Sequence, residues 1–247
     1  MDNTIEGRNP VLEALKSGRP INKILLVKNI ERHGTIAEIL HLAQQNGVLL
    51  EYVERQAIDR LGQSGANQGI IALTAARDYA DLDELLTIPS QKGQAAFFII
   101  LDGLEDPHNL GAIIRTVDAS GAHGVIIRER RAVGLTPVVD KASAGALEYV
   151  PVARVANISQ TIETLKKNNI WVVGIDQAGK TDYTKIDYKP ATAIVIGAEG
   201  QGLSDLVRKN CDFLAAIPMR GRIASLNASV AAAVVMYEVV KQRGLQV

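Results

Sequence analysis

Apolar residues recur along the chain with two alternating periods, one helical and one extended. Residues 23–27, Lys-Ile-Leu-Leu-Val, form a short apolar run that predicts a strand. Residues 35–45 carry Ile36, Ile39, Leu40 and Ala43 on one helical face, with Gly47 as the stop. Residues 48–53 predict a second strand, 55–61 a short helix and 69–74 a third strand. Ahead of them, Asn9 and Pro10 predict the N-cap and first position of a helix reaching Leu15.

The pattern breaks over residues 76–94. Asp78, Asp81, Asp83 and Glu84 are followed there by Pro89-Ser-Gln-Lys-Gly93, which predicts a loosely packed linker. The expected division is therefore a domain over residues 1–76, a linker over 77–95 and a second domain over 96–247. The second domain opens with Phe97-Phe-Ile-Ile-Leu-Asp102, a continuous apolar run suited to a strand buried on both faces. A loop over 103–108 leads into a helix from Asn109, its candidate N-cap, to Ser120. Strands at 124–127, 150–155, 170–175, 193–197 and 213–217 then alternate with helices at 139–148, 158–168, 203–209 and 226–242. Such alternation predicts an α/β fold with a mainly parallel sheet.

Composition narrows the function classes. The 247 residues are 47% hydrophobic, and 27 Lys+Arg balance 27 Asp+Glu, so an intrinsically disordered chain is excluded. The apolar runs, residues 95–101 among them, are far shorter than the ~20 residues of a membrane span. Met1-Asp-Asn-Thr-Ile-Glu has neither the basic nor the apolar region of a signal peptide, and Cys211 is the only cysteine. Both point to a cytoplasmic protein without disulfides. His33, His41, His108 and His123 lack ligand spacing, so no metal is expected. A neutral chain that binds RNA must do so through local basic patches and shape. Arg128, Arg130, Arg131, Arg220 and Arg222 are the candidate phosphate contacts.

Gly174-Ile-Asp-Gln-Ala-Gly179-Lys180-Thr181 matches the phosphate-cradling P-loop pattern and follows a predicted strand. The match implies a nucleotide hydrolase only if a helix starts at once, so that its N–H groups face the phosphates. The continuation Asp-Tyr-Thr-Lys-Ile-Asp-Tyr-Lys-Pro190 is a poor helix, and a surface turn with a solvated Lys180 is the better reading. Glu199 lies between glycines just past a predicted parallel strand, where open α/β sheets place ligands. Arg115 follows Asn109 by about 1.7 helical turns, a spacing compatible with a surface charge or an inward anion clamp. Ser225 and Asn227 are candidate N-caps of the final helix, and residues 228–233 are nearly all small.

Three blocks then carry a resemblance: Leu101-Asp-Gly-Leu-Glu-Asp-Pro-His-Asn-Leu-Gly-Ala-Ile-Ile-Arg115, Ile194-Val-Ile-Gly-Ala-Glu-Gly-Gln-Gly-Leu203 and Ile217-Pro-Met-Arg-Gly-Arg-Ile-Ala-Ser-Leu-Asn-Ala-Ser-Val-Ala231. In order and spacing they resemble motifs one to three of the SpoU (TrmH-type) RNA 2′-O-ribose methyltransferases of the SPOUT superfamily. Glu6-Gly-Arg-Asn-Pro-Val-Leu-Glu-Ala-Leu15 and Asn67-Gln-Gly-Ile-Ile71 are similar to that family's small substrate-binding domain. Within the family the chain looks most like the 23S rRNA guanosine methyltransferases, with a tRNA nucleotide as the alternative substrate.

The resemblance implies a SPOUT domain whose C-terminal segment forms a trefoil knot, preceded by a small L30e/L7Ae-like α/β domain. It implies S-adenosylmethionine as cofactor, held around Gly197, Ala198, Gly200, Ile217, Met219, Ser225, Leu226 and Ala228. It also implies a homodimer acting on RNA, with Arg115 as catalytic residue and Asn109, Glu199, Ser225 and Asn227 positioning ribose, arginine and cofactor.

Overall fold

The computed structural model describes residues 3–62, 67–74 and 78–244. Ala76 and Arg77, at the start of the expected linker, and Met1 and Asp2 lie outside the described residues. In chain order the elements are β1 (Asn3–Glu6), α1 (Arg8–Lys16), β2 (Ile21–Val27), α2 (Thr35–Gln45), β3 (Leu49–Val53), α3 (Arg55–Leu61), β4 (Ile70–Thr74) and α4 (Leu82–Gln91). They continue with β5 (Phe97–Asp102), α5 (Pro107–Ser120), β6 (Gly124–Arg128), α6 (Pro137–Ala142), β7 (Val152–Val155), α7 (Ile158–Lys167), β8 (Trp171–Ile175) and β9 (Thr181–Asp182). The last four are β10 (Thr192–Gly197), α8 (Asp205–Asn210), β11 (Phe213–Ala216) and α9 (Ala228–Arg243). The chain forms two compact units, Met1–Asp78 with Leu135–Tyr149, and Tyr79–Gly134 with Val150–Val247.

The first unit is a sheet in the order β1-β4-β2-β3, parallel only between β2 and β3. Alternation along β2 sends Ile24 and Leu26 into a core with Val11, Leu15, Ile36 and Ile39 of α1 and α2. Leu25 goes the other way, onto Ile58 of α3. Asn9 is not the cap of α1: the cap position is Gly7 at φ 99°, and Asn9 and Pro10 lie inside the first turn. Pro10 is tolerated there because the first-turn N–H groups have no intrahelical partner.

The excursion Leu135–Tyr149 belongs to this unit for a definite reason. Arg19 Nη1 donates to Glu148 Oε1 at 3.0 Å and Asp140 Oδ2 at 3.3 Å, while Tyr149 donates its hydroxyl to Glu13 Oε2 at 2.6 Å. The helix expected at 139–148 is therefore two pieces. Thr136 caps α6 through Val139 N–H, and Gly145 at φ 98° separates it from a 3₁₀ turn over Ala146–Glu148.

The second unit carries a seven-stranded sheet, β7-β6-β5-β10-β8-β11-β9, in which every pairing is parallel. One face packs Phe98, Ile100, Val172, Ala193 and Val195 on Leu85 of α4, Ile158 and Ile162 of α7 and Val207 of α8. On the opposite face α5 packs against α9, burying Ile113, Val117, Ala232 and Val235. The small residues of α9 thus permit a close helix crossing. The acidic stretch expected as a linker is instead α4 from residue 82 onward. Asp81 caps it by accepting from Asp83 N–H, Asp83 and Glu84 suit the positive end of the helix, and Leu85 is fully buried. Acidity there marks a helix start.

Two devices close the end of this unit where β5 and β10 begin. Arg243, in the last turn of α9, donates to the carbonyls of Ala95, Ala96, Tyr188 and Pro190 at 2.7–2.9 Å, beneath the Phe97 ring. His123 accepts from Phe97 N–H through Nδ1 at 3.1 Å, which leaves Nε2 to donate to Gln94 Oε1 at 3.0 Å.

Burial, helped by the Lys92 charge, holds the His123 imidazole below its ordinary value, so the folded protein keeps it neutral. As pH falls through about 6.5 the unfolded chain takes up a proton that the folded chain refuses, and stability drops until the folded His123 is itself protonated. Chemical denaturation of the wild type should show this acid loss, and H123Q should flatten it.

Candidate active site

The carboxyl ends of β5, β10 and β8 lie side by side in the middle of the parallel sheet. Open α/β sheets bind ligands outside such ends. A pocket of about 630 Å³ lies there, walled by Ile175, Ile196, Ile217, Met219 and Leu226. Its rim carries Asp176, Glu199, Ser225 and Asn227. The β10 turn folds back on itself, because Gly202 N–H donates to Ala198 O at 2.9 Å. Gly197 permits that return, since a Cβ there would sit on the Gly202 carbonyl.

Beside the pocket, residues far apart in sequence share one hydrogen-bonded triangle. Asn109 Nδ2 donates to Glu199 Oε1 at 2.7 Å, and Asn227 Nδ2 donates to the same oxygen at 2.8 Å and to Asn109 Oδ1 at 2.9 Å. Asn227 is also the N-cap of α9: its Oδ1 accepts from Ser229 N–H at 3.0 Å and Val230 N–H at 3.3 Å. Asn109, in contrast, is not the cap of α5. Asp106 takes that place, accepting from His108 N–H at 2.9 Å with Pro107 at the first position. Asn109 is the third residue of the helix, buried within its first turn, and its amide serves Glu199. Glu199 Oε2 accepts from none of the described residues.

With these elements in place, the profile of the SpoU rRNA methylase family matches residues 96–237. The chain belongs to the SpoU methylase family. A second profile, RNA 2′-O ribose methyltransferase substrate binding, matches residues 4–80. A Bacillus subtilis protein named within the TrmH family of tRNA/rRNA methyltransferases, YacO, is 48% identical over 96% of this chain and 94% of its own. A Staphylococcus saprophyticus relative named in the same way is 50% identical over 97% and 95%. Among solved structures, the SpoU methyltransferase AviRb of Streptomyces viridochromogenes, in complex with AdoMet, superposes with a TM-score of 0.83. It is 27% identical, with 99% of this chain and 92% of AviRb covered. An AdoMet-bound rRNA methyltransferase of Sinorhizobium meliloti gives 0.80 at 28% identity, covering 100% and 88%. This SpoU methylase is an RNA methyltransferase whose cofactor is S-adenosylmethionine.

The residues present fit that cofactor. A pocket of this size suits a drug-sized ligand of several hundred Å³. Apolar walls suit the adenine, and the Glu199 carboxylate suits a positively charged sulfur or ammonium. Gly197, Ala198, Gly200, Ile217, Met219, Ser225, Leu226 and Ala228 all line the pocket. Arg115 does not: it stands exposed on α5, with no hydrogen bond or ion pair to a described residue.

Other candidates resolve differently. After β8 the chain turns and enters β9 at Thr181, paired with β11, so no α-helix begins directly after the P-loop-like turn. Gly179 is pressed to the Ala215 backbone, where a Cβ would approach within 2.6 Å, and no phosphate cradle remains. Burial pushes the Cys211 thiol up to about 12, and its Sγ donates to Val207 O, which removes it as a nucleophile. Arg128 is bound to the buried Asp102 at 2.8 Å instead of standing free for a phosphate, whereas Arg130, Arg131, Arg220 and Arg222 are exposed. Sequence reasoning missed Asp176 and Arg208, which line the pocket and pair at 3.1 Å. The one available signal was an aspartate directly after β8, hidden inside the P-loop pattern.

N227A removes a helix cap and two donors to partners at the pocket rim. In urea denaturation it should lower stability by about 1–2 kcal/mol, whereas S225A, whose hydroxyl has no partner among the described residues, should leave it unchanged.

Proposed function

We propose that this SpoU methylase transfers the methyl group to a ribose 2′-hydroxyl, on a guanosine of 23S rRNA. The observation that carries this reading is the Asn109–Glu199–Asn227 triangle, set at the rim of a pocket that fits the cofactor. The substrate-binding profile over residues 4–80 supports the ribose hydroxyl as acceptor, and the first unit is then the RNA-holding, L30e/L7Ae-like part. A tRNA nucleotide is the second reading, favoured by the paired tRNA/rRNA names of the relatives.

Bound S-adenosylmethionine supplies an activated methyl group on a positively charged sulfur. The protein's task is then to aim one oxygen and manage one proton. Glu199, with Oε1 saturated by two amides, keeps Oε2 open for the hydroxyl or for a guanidinium. Ser225 lies on the same rim with its hydroxyl uncommitted among the described residues. Arg115 clamps a backbone phosphate or orients the hydroxyl, and the phosphate or another group accepts the proton.

The same reading includes a homodimer. Val230, Val234 and Tyr237 form an apolar stripe along α9, with Val230 47% and Tyr237 51% exposed. A second copy covering that stripe would bring an Arg115 to a pocket its own chain does not offer it. The threading of residues 217–227 into a trefoil knot belongs to this reading too. Its support is that this segment, the β10 turn and the turn after β8 jointly wall one pocket.

Mapping 2′-O-methylation in cells lacking the protein tests the substrate. Loss of one mark on a 23S rRNA guanosine is expected, and loss only from tRNA would install the second reading. In methyl-transfer assays R115K should cost about 100-fold in turnover through misplacement of the hydroxyl, and unchanged turnover would remove Arg115 from the mechanism.

A further inference from the structure

Two buried carboxylates grip the turn that carries Glu199, one from each strand beside β10. Asp102 ends β5 on one side, and its Oδ2 accepts from Ser204 N–H at 2.9 Å. Asp176 follows β8 on the other side, and its Oδ2 accepts from Leu203 N–H at 3.4 Å. The two amides are consecutive and lie just where the turn returns to the sheet.

Each carboxylate is matched by an arginine. Arg128 Nη2 donates to Asp102 Oδ1 at 2.8 Å. Arg208 donates to Asp176 Oδ2 through Nε at 3.2 Å and Nη2 at 3.1 Å, and the same Nη2 reaches Leu203 O at 3.1 Å. Ala178 N–H donates to the remaining Asp176 oxygen at 2.8 Å. The aspartate side chains are only 2% and 7% exposed. Burying a charged pair is an expensive way to gain stability, and an apolar residue often does as well. What the pair adds is direction, because a carboxylate fixes the amide it accepts from.

We propose that Asp102 with Arg128, and Asp176 with Arg208, are positioning pairs that hold the 198–202 turn closed. Held so, the turn offers Glu199 to both amides of the triangle and keeps the cofactor pocket in shape. None of the four is a catalytic residue. Their effect passes through the Leu203 and Ser204 backbone. The proposal rests on the methyltransferase reading only in taking this pocket as the cofactor site.

The test uses the full-length protein with D176N, R208K and D102N, and with D205A as control, since exposed Asp205 touches only the outer Nη1 of Arg208. R208K is the mild variant: it keeps the charge and gives up the three-point grip, so it remains informative if the aspartate variants do not fold. Calorimetric titration with S-adenosylmethionine should show affinity falling about tenfold in R208K and D176N. Amide hydrogen exchange without cofactor should accelerate at Leu203 and Ser204, and D205A should match the wild type in both measurements. Variants that melt earlier yet bind S-adenosylmethionine normally and keep those amides protected would overturn the proposal, leaving the pairs as plain supports. A wild-type protein that binds no S-adenosylmethionine would sink the functional reading itself, an outcome distinct from equal binding by wild type and variants.

Discussion

One carboxylate oxygen ties together distant parts of the second unit. Glu199 Oε1 receives amide donors from Asn109, 90 residues before it, and from Asn227, 28 residues after it. Neither donor could arrive unless β5 and β10 were neighbours and α9 packed on α5. The parallel register of the sheet is thus fixed by burial, but its use is fixed by a polar contact at the rim. Because Asn227 both caps α9 and serves Glu199, movement of that helix start changes the carboxylate's surroundings directly.

The geometry divides labour between backbone and side chains. Apolar walls and tight turns shape the pocket, which suits a ligand that brings its own reactivity. Few ionisable side chains point into it. The reactive chemistry that a lone thiol suggests is closed off at Cys211 by burial.

Much of this was legible in the sequence. The strand over residues 97–102 was readable because six consecutive buried positions leave an unbroken apolar run. The helices over Thr35–Gln45 and Arg55–Leu61 follow from spacing and turn residues that act locally. The motif residues that line the pocket were legible because they cluster in short segments. What escaped was decided by distant partners. Asn109 looked like a cap because asparagine commonly caps, yet Asp106-Pro107 outcompeted it, and only the fold reveals that its amide is needed elsewhere. Acidic residues after position 80 looked like a linker because composition does not say whether Asp81 begins a helix. Asp102 and Asp176 lay inside recognised patterns, but their roles did not show there, since their partners, the Ser204 and Leu203 amides, are invisible to side-chain spacing.

The excursion of residues 135–149 has a consequence for how such proteins can be recombined. Its helix and 3₁₀ turn are fastened to Arg19 and Glu13, although the flanking chain on both sides belongs to the other unit. A chimera spliced at residue 78 to receive a foreign head would remove the Arg19 contacts of Asp140 and Glu148. Transplantable cassettes of this architecture are therefore bipartite, and the insert must be inherited together with the head.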